Sequence, residues 1–148
     1  MPNVLSWDIG QPFPSNFAWT GTRDPSSLLA APTAFDFMDR FDESAIRLHN
    51  QGLIRDAIGV LADLWQVPVT TPEAMTAAMT LVPVPDGLPY AAIDEGRVHL
   101  EADLQNLHNI VVNPAFAFEG RIWVRIAAQM YNCIEDYQKL GKAVLALR

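Results

Sequence analysis

The stretch from Asp42 to Val67 constrains the fold more than any other part of the chain. Its apolar residues recur with a period near 3.6, which is typical of one face of an α-helix. Asp42 or Ser44 can cap the start of this helix, and Pro68 ends it. We therefore predict a long helix whose apolar face consists of Ile46, Leu53, Ile54, Ala57, Ile58, Leu61, Leu64 and Trp65.

Other parts of the chain supply elements that can cover this face. The chain has 148 residues, of which 50% are hydrophobic and 18% charged, so a packed core is expected rather than disorder. The predicted elements are a helix over 25–40 that Asp24 caps, a strand over 77–82, a short helix marked by Leu100, Leu104 and Leu107, strands over 110–112 and 121–127, and a last helix. This order favours an α+β fold, with helices packed on one face of a small antiparallel sheet.

The last helix is predicted from a capping residue and an apolar face. The side chain of Asn132 can cap it, and Glu135 stands at the third helical position. Its predicted core face consists of Tyr137, Leu140, Val144 and Leu147.

The start of the chain differs in composition from the remainder. Trp7, Phe13, Phe17 and Trp19 crowd a stretch that glycine and proline interrupt, which indicates an extended arm rather than a helix. We expect residues 1–24 to form this arm and residues 25–148 to form a single domain. An arm so apolar requires cover, which favours a missing partner.

Charge and cysteine content exclude several classes of protein. The chain has 10 Lys and Arg against 17 Asp and Glu, a net charge of −7, which argues against nucleic acid or an anionic membrane as a partner. A single cysteine, Cys133, excludes an internal disulfide and fits the cytoplasm. No signal peptide and no run of 18 apolar residues is visible in the sequence.

One candidate site is the turn that contains Gly21 and Thr22. A hydroxyl and free backbone N–H groups at the start of a helix can hold a phosphate. The turn also has a purely structural interpretation as a capped helix start, because Asp24 can occupy part of the same space.

A second candidate is Arg125, which lies in an otherwise apolar strand. Val124 and Ile126 point to the opposite face, while Arg121 and Trp123 share the face of Arg125. A solvated surface explains this pattern, and so does a guanidinium that binds a carboxylate through two parallel hydrogen bonds.

Other familiar sites are missing from the sequence. His49, His99 and His108 are not spaced as metal ligands, and Cys133 has no cysteine partner. The sequence has no nucleophile elbow, dinucleotide fingerprint or phosphate-binding loop. We therefore predict no metal site.

Two motifs together resemble a known family. The runs Phe17–Ser26 (FAWTGTRDPS) and Val124–Asn132 (VRIAAQMYN) are similar to the C-terminal part of class V aminotransferases, in particular the isopenicillin N epimerase-like enzymes. These enzymes depend on pyridoxal 5′-phosphate (PLP). The resemblance extends over nearly the whole chain, from Leu5 through Asn50 to Leu140.

The resemblance implies roles for the candidate residues. Thr22 would contact the PLP phosphate of the neighbouring subunit, and Gly21 would permit its close approach. Arg125 would bind the α-carboxylate of an amino-acid substrate. The C-terminal domain of fold-type I PLP enzymes is the implied fold, and a dimer is the implied assembly.

One residue that the family requires has no counterpart in this chain. Members carry a Schiff-base lysine upstream of the region seen here. The lysines of this chain are Lys139 and Lys142, on the polar side of the last helix. We therefore expect no catalytic residue, and PLP only with a complementary N-terminal PLP-domain chain or homodimer mate. The alternative is a non-catalytic remnant that binds a partner protein or a small carboxylate.

Overall fold

The chain divides into two compact units, Met1–Phe41 and Asp42–Arg148. The computed structural model describes residues 10–17, 21, 24–69 and 71–148, but not the side chains of 17 and 113–116. The predicted division into an arm (1–24) and a domain (25–148) stays a prediction. Among the described helices, none is long and apolar enough to cross a membrane.

The first unit contains helix α1, Ser26–Met38, close to the bounds predicted for it. Asp24 stabilises its start, because one carboxylate oxygen accepts from both the hydroxyl and the backbone N–H of Ser26. These two hydrogen bonds lower the pKa of Asp24. The helix continues through Pro32, and no side chain of α1 is buried.

The long predicted helix is α2, Glu43–Trp65, in the second unit. Asp42 caps it as predicted, since its carboxylate accepts from the backbone N–H of Ser44 at 2.8 Å. The helix ends before Pro68, because Gln66 adopts a left-handed conformation with φ 55°.

A sheet of three antiparallel strands, in the order β1-β3-β2, forms the other layer of this unit. Its strands are β1, Met79–Pro83; β2, Asn113–Phe118; and β3, Arg121–Ala127. Glu119 and Gly120 join β2 to β3 with φ of 49° and 72°, as in the tight turns that match strand twist. The 121–127 strand is confirmed.

The predicted strand over 110–112 is wrong. Helix α3, Asp94–His108, ends at Asn109, which is left-handed with φ 53°. The backbone N–H of Ile110 then donates to the carbonyl of Leu104 at 3.1 Å. This residue is therefore still bonded to the helix end, and pairing with β3 begins only at Asn113.

The core lies between one face of the sheet and helices α2, α3 and α4. Helix α4 is Ile134–Leu145, and three of the core residues predicted for it, Tyr137, Leu140 and Val144, are buried. The main buried side chains are Ile54, Leu61, Trp65, Val82, Leu100, Leu104, Ile122, Val124, Ile126, Tyr137, Leu140 and Val144. The predicted α+β fold with a small antiparallel sheet is thus confirmed.

The cap of α4 differs from the predicted one. The residue before the helix is Cys133, and its backbone N–H donates to the carboxylate of Asp136 at 3.1 Å. The side-chain oxygen of Asn132 accepts from the backbone N–H of Gln129, and its side-chain amide donates to the carboxylate of Asp136 at 3.2 Å. The capping role expected for Asn132 is therefore wrong, because Cys133 precedes the helix and Asp136, rather than Glu135, stands at its third position.

Glycine is required at the start of α3. A Cβ on Gly96 would lie 2.0 Å from the carbonyl oxygen of Ala91, whereas one on Gly59 in α2 would meet nothing within 4 Å. Gly96→Ala should therefore lower the free energy of unfolding by about 2 kcal/mol. Gly59→Ala should raise it by roughly 0.5–1 kcal/mol, as for other helical glycines.

Urea unfolding of both variants followed by circular dichroism measures the two changes. Equal effects of Gly96→Ala and Gly59→Ala would contradict the close approach of Ala91 to Gly96.

Candidate functional site

Arg125 lies near the middle of β3 on the outer face of the sheet. The strand alternates, so that Val124 and Ile126 are buried while Arg125 is exposed. Its cross-strand partners are Leu81 in β1 and Asn113 in β2. The predicted orientation of the Arg125 side chain is therefore confirmed.

The guanidinium of Arg125 has no partner among the described groups. Within the described part of the chain, no carboxylate, carbonyl or hydroxyl forms a hydrogen bond or ion pair with it. Arg121 on the same face differs, because its guanidinium binds the carboxylate of Asp86 at 2.9 Å. An unpaired guanidinium in a sheet centre can bind a carboxylate at two points.

Apolar side chains of β1 and β3 lie beside Arg125 on this face. Leu81 is 37% exposed and Met79 is 51% exposed, and both lie on the adjacent strand. Trp123, two residues before Arg125, is half-buried, and its indole N–H donates to the carbonyl of Phe118 at 3.2 Å. A ligand that covers these side chains would exclude water from the guanidinium and strengthen a carboxylate contact.

The turn that follows β3 is held by hydrogen bonds from several elements. The hydroxyl of Tyr137 in α4 donates to the carbonyl of Ala127 at 2.7 Å. The backbone N–H of Ala128 donates to the carbonyl of Ala78 at 2.8 Å. The exit of the chain from β3 is thus fixed on both sides.

Asn50 connects this turn to α2. Its amide group donates to the side-chain oxygen of Gln129 at 3.1 Å, and the same oxygen accepts from the backbone N–H of Met130 at 2.9 Å. Asn50 is only 7% exposed, so the bond satisfies a buried donor. Its own side-chain oxygen is buried without a partner among the described residues.

The role of Gln129 was not predicted from sequence. The available signal was an amide side chain directly after a buried strand, together with an asparagine on the apolar side of a long helix. Neither pattern specifies which distant residue is the partner.

The predicted phosphate turn lies in the other unit. Gly21 is exposed and has φ 86°, a conformation that favours glycine. Thr22 and Arg23 lie outside the described residues. The phosphate role of Gly21 and Thr22 therefore stays a prediction, and so does the carboxylate role of Arg125.

The histidines are dispersed. His49 and His99 are exposed, and His108 is half-buried at the end of α3. Within 10–17, 21, 24–69 and 71–148, no three His, Cys, Asp or Glu side chains are grouped as a metal site requires.

Comparison with known proteins finds relatives that are named L-cysteine desulfhydrases. No protein-family model matches the chain. The chain is 30% identical over 162 aligned residues to the L-cysteine desulfhydrase of Arabidopsis thaliana, an alignment that covers 97% of this chain and 35% of that protein. It is also 30% identical to "Putative L-cysteine desulfhydrase 1" of Oryza sativa subsp. japonica, over 95% of this chain and 33% of the relative. The chain thus spans about a third of the length of these curated relatives.

The bond between Asn50 and Gln129 should stabilise the second unit. Gln129→Ala would leave the buried amide of Asn50 without its partner, and we expect a loss of about 1–3 kcal/mol in the free energy of unfolding. Gln105→Ala, an exposed position on α3, is the control and should change it by less than about 0.5 kcal/mol.

A double-mutant cycle with Asn50→Ala, measured by urea unfolding, tests the contact directly. We expect a coupling energy of at least about 0.5 kcal/mol. Additive effects of the two substitutions would show that the bond contributes nothing.

Proposed function

We propose that this chain forms the C-terminal part of a PLP-dependent enzyme of the class V aminotransferase kind, and that its reaction is cleavage of the C–S bond of L-cysteine. One observation carries the proposal: the chain is similar over 97% of its length to an L-cysteine desulfhydrase while spanning only 35% of it. The isopenicillin N epimerase-like resemblance supports the same family, but the relatives favour C–S cleavage over epimerisation.

Arg125 is the proposed substrate-binding residue. Its guanidinium, which has no partner among the described residues, can hold the α-carboxylate of an amino acid through two hydrogen bonds. Leu81 and Trp123 beside it would keep water from that contact. Arg121 cannot serve equally, because Asp86 already neutralises it.

The Gly21–Thr22 turn is the proposed contact for the PLP phosphate. A hydroxyl, an exposed glycine backbone and a nearby helix start suit an anionic oxygen. The carboxylate of Asp24 is bound to Ser26, so it is held at the helix start. When bound, PLP supplies the electron sink that bond cleavage in an amino acid requires.

The reactive lysine must then come from outside these residues. Lys139 and Lys142 are exposed on α4, which packs on the face of the sheet opposite to Arg125. A substrate held by Arg125 of the second unit is therefore out of reach of both lysines of that unit. We infer that a complementary N-terminal chain or a dimer mate supplies the lysine and the remaining PLP contacts.

Helix α1 supports the need for such a partner. Leu28, Leu29 and Phe35 are each more than 70% exposed. A helix with apolar residues around its circumference is typical of a buried position. We propose that the complementary part of the enzyme covers this helix.

Arg125→Lys in the assembled enzyme should raise KM for L-cysteine by about tenfold or more, because an ammonium cannot form the paired contact. PLP absorbance should be unchanged. The assembly is made by co-expressing the chain with a complementary N-terminal PLP-domain polypeptide, and sulfide release gives the rate.

Arg121→Lys is the matched control, since it is the same substitution on the same face of β3. It should leave KM unchanged. An equal KM for Arg125→Lys and for the unsubstituted enzyme would refute the carboxylate role.

Thr22→Ala should weaken PLP retention by about tenfold, because one phosphate contact is lost. Gel filtration followed by absorbance at the PLP band measures this, and Thr76→Ala in the second unit is the control. Full retention by Thr22→Ala would contradict the phosphate role. If the unsubstituted assembly retains no PLP, the proposal of a PLP-dependent enzyme fails, and the alternative of a non-catalytic binding protein replaces it.

A further inference from the structure

A groove lies along α4, where the end of α3 meets it. Its volume is about 530 Å³, within the range of roughly 300–1,000 Å³ that small-molecule sites occupy. Helices α3 and α4 form it on the side of the sheet away from Arg125. Its lining residues are His108, Ile110, Glu135, Gln138, Lys139, Lys142, Ala143 and Ala146.

Two positively charged side chains line this groove. Both lysines of the chain, Lys139 and Lys142, line it together with His108. They are one helical turn apart, so their ammonium groups can approach the same ligand atom. This is unusual in a chain whose net charge is −7, and it favours an anion in an otherwise repelling field.

The basic side chains of the groove have no polar partner among the described residues. No ion pair or hydrogen bond involves the ammonium groups of Lys139 and Lys142 or the imidazole of His108 within the residues that the structure describes. Glu135 is the acidic residue of the lining. It stands one turn before Lys139 and two turns before Lys142 on α4, so Lys142 is the cation farther from this carboxylate.

The remaining lining is apolar. Ala143 and Ala146 lie one turn apart on α4 and carry only methyl groups, which leaves room above the helix. Ile110 forms the opposite wall, because the left-handed Asn109 turns the chain aside at that point. An apolar body could rest on these three residues while a charged end contacts the lysines.

We propose that this groove binds an organic anion, a carboxylate or a phosphate monoester with an apolar chain. The headgroup contacts Lys139, Lys142 and His108, and the apolar chain packs on Ile110, Ala143 and Ala146. The site is separate from the proposed amino-acid site, since Arg125 lies on the outer face of the sheet.

Titration of the ¹⁵N-labelled full chain with hexanoate, hexyl phosphate and hexan-1-ol tests the site by amide chemical shifts. We expect shifts confined to residues 108–110 and 135–146. Both anions should bind about tenfold more tightly than the alcohol, because only they form charge-assisted contacts. Acetate should bind more weakly than hexanoate by a similar factor, since it lacks the apolar chain.

The double variant Lys139→Gln/Lys142→Gln should weaken hexanoate binding by about tenfold. Arg47→Gln/Arg55→Gln removes the same charge from exposed positions on α2 and should leave binding unchanged. If the lysine double variant loses more affinity for hexyl phosphate than for hexanoate, the phosphate is the preferred headgroup of the same site.

Three outcomes would overturn the proposal. One is an equal affinity for hexanoate and hexan-1-ol. Another is an equal loss of hexanoate affinity in the lysine and arginine double variants. The third is a concentration-dependent shift of the same amides without ligand, which would show that a second copy of the chain covers the groove.

Discussion

Strand β3 is hydrogen-bonded along both edges, and the second unit is arranged around that central position. Its two-residue repeat directs Ile122, Val124 and Ile126 into the core. The same repeat directs Arg125 outward, between an apolar strand on one side and β2 on the other. A shift of one residue in register would bury a guanidinium and expose valine, so the core itself fixes the orientation of the candidate site.

The turn after β3 shows how such a site is held in place. Helix α2 supplies Asn50, α4 supplies Tyr137, and the segment before β1 supplies the carbonyl of Ala78. Each bond satisfies a polar group that would otherwise lose its hydration on folding. The strand end that carries Arg125 is therefore coupled to the packing of α2 and α4, although neither helix forms a hydrogen bond or ion pair with the guanidinium.

The two faces of the second unit carry different charged side chains and would therefore bind different ligands. On the outer face of the sheet, the guanidinium of Arg125 has no partner among the described residues and lies beside Leu81 and Trp123, which suits one carboxylate. The helical face has Lys139 and Lys142 beside two alanines, which suits a longer anion. The sheet and the core separate the two proposed sites, so the sites would bind different ligands. Only the amino-acid site at Arg125 depends on the remaining part of a PLP-dependent enzyme.

The local patterns of the sequence determined a large part of this fold. The period near 3.6 placed α2 and α4, and the alternation over 121–127 placed β3 and the direction of Arg125. These predictions succeeded because each depends only on which side of an element is buried. The predicted strand over 110–112 failed because a run of β-branched residues looks the same whether it pairs or follows a helix end.

Only the tertiary structure decided which distant groups meet. The bond between Asn50 and Gln129 and the groove between α3 and α4 both depend on contacts between elements that are distant in the sequence. No local pattern encodes such contacts, because a polar residue on a helix has many possible partners until packing removes all but one. The sequence by itself thus determined the elements and their buried faces, and packing decided the hydrogen-bond partners and the shape of the surface.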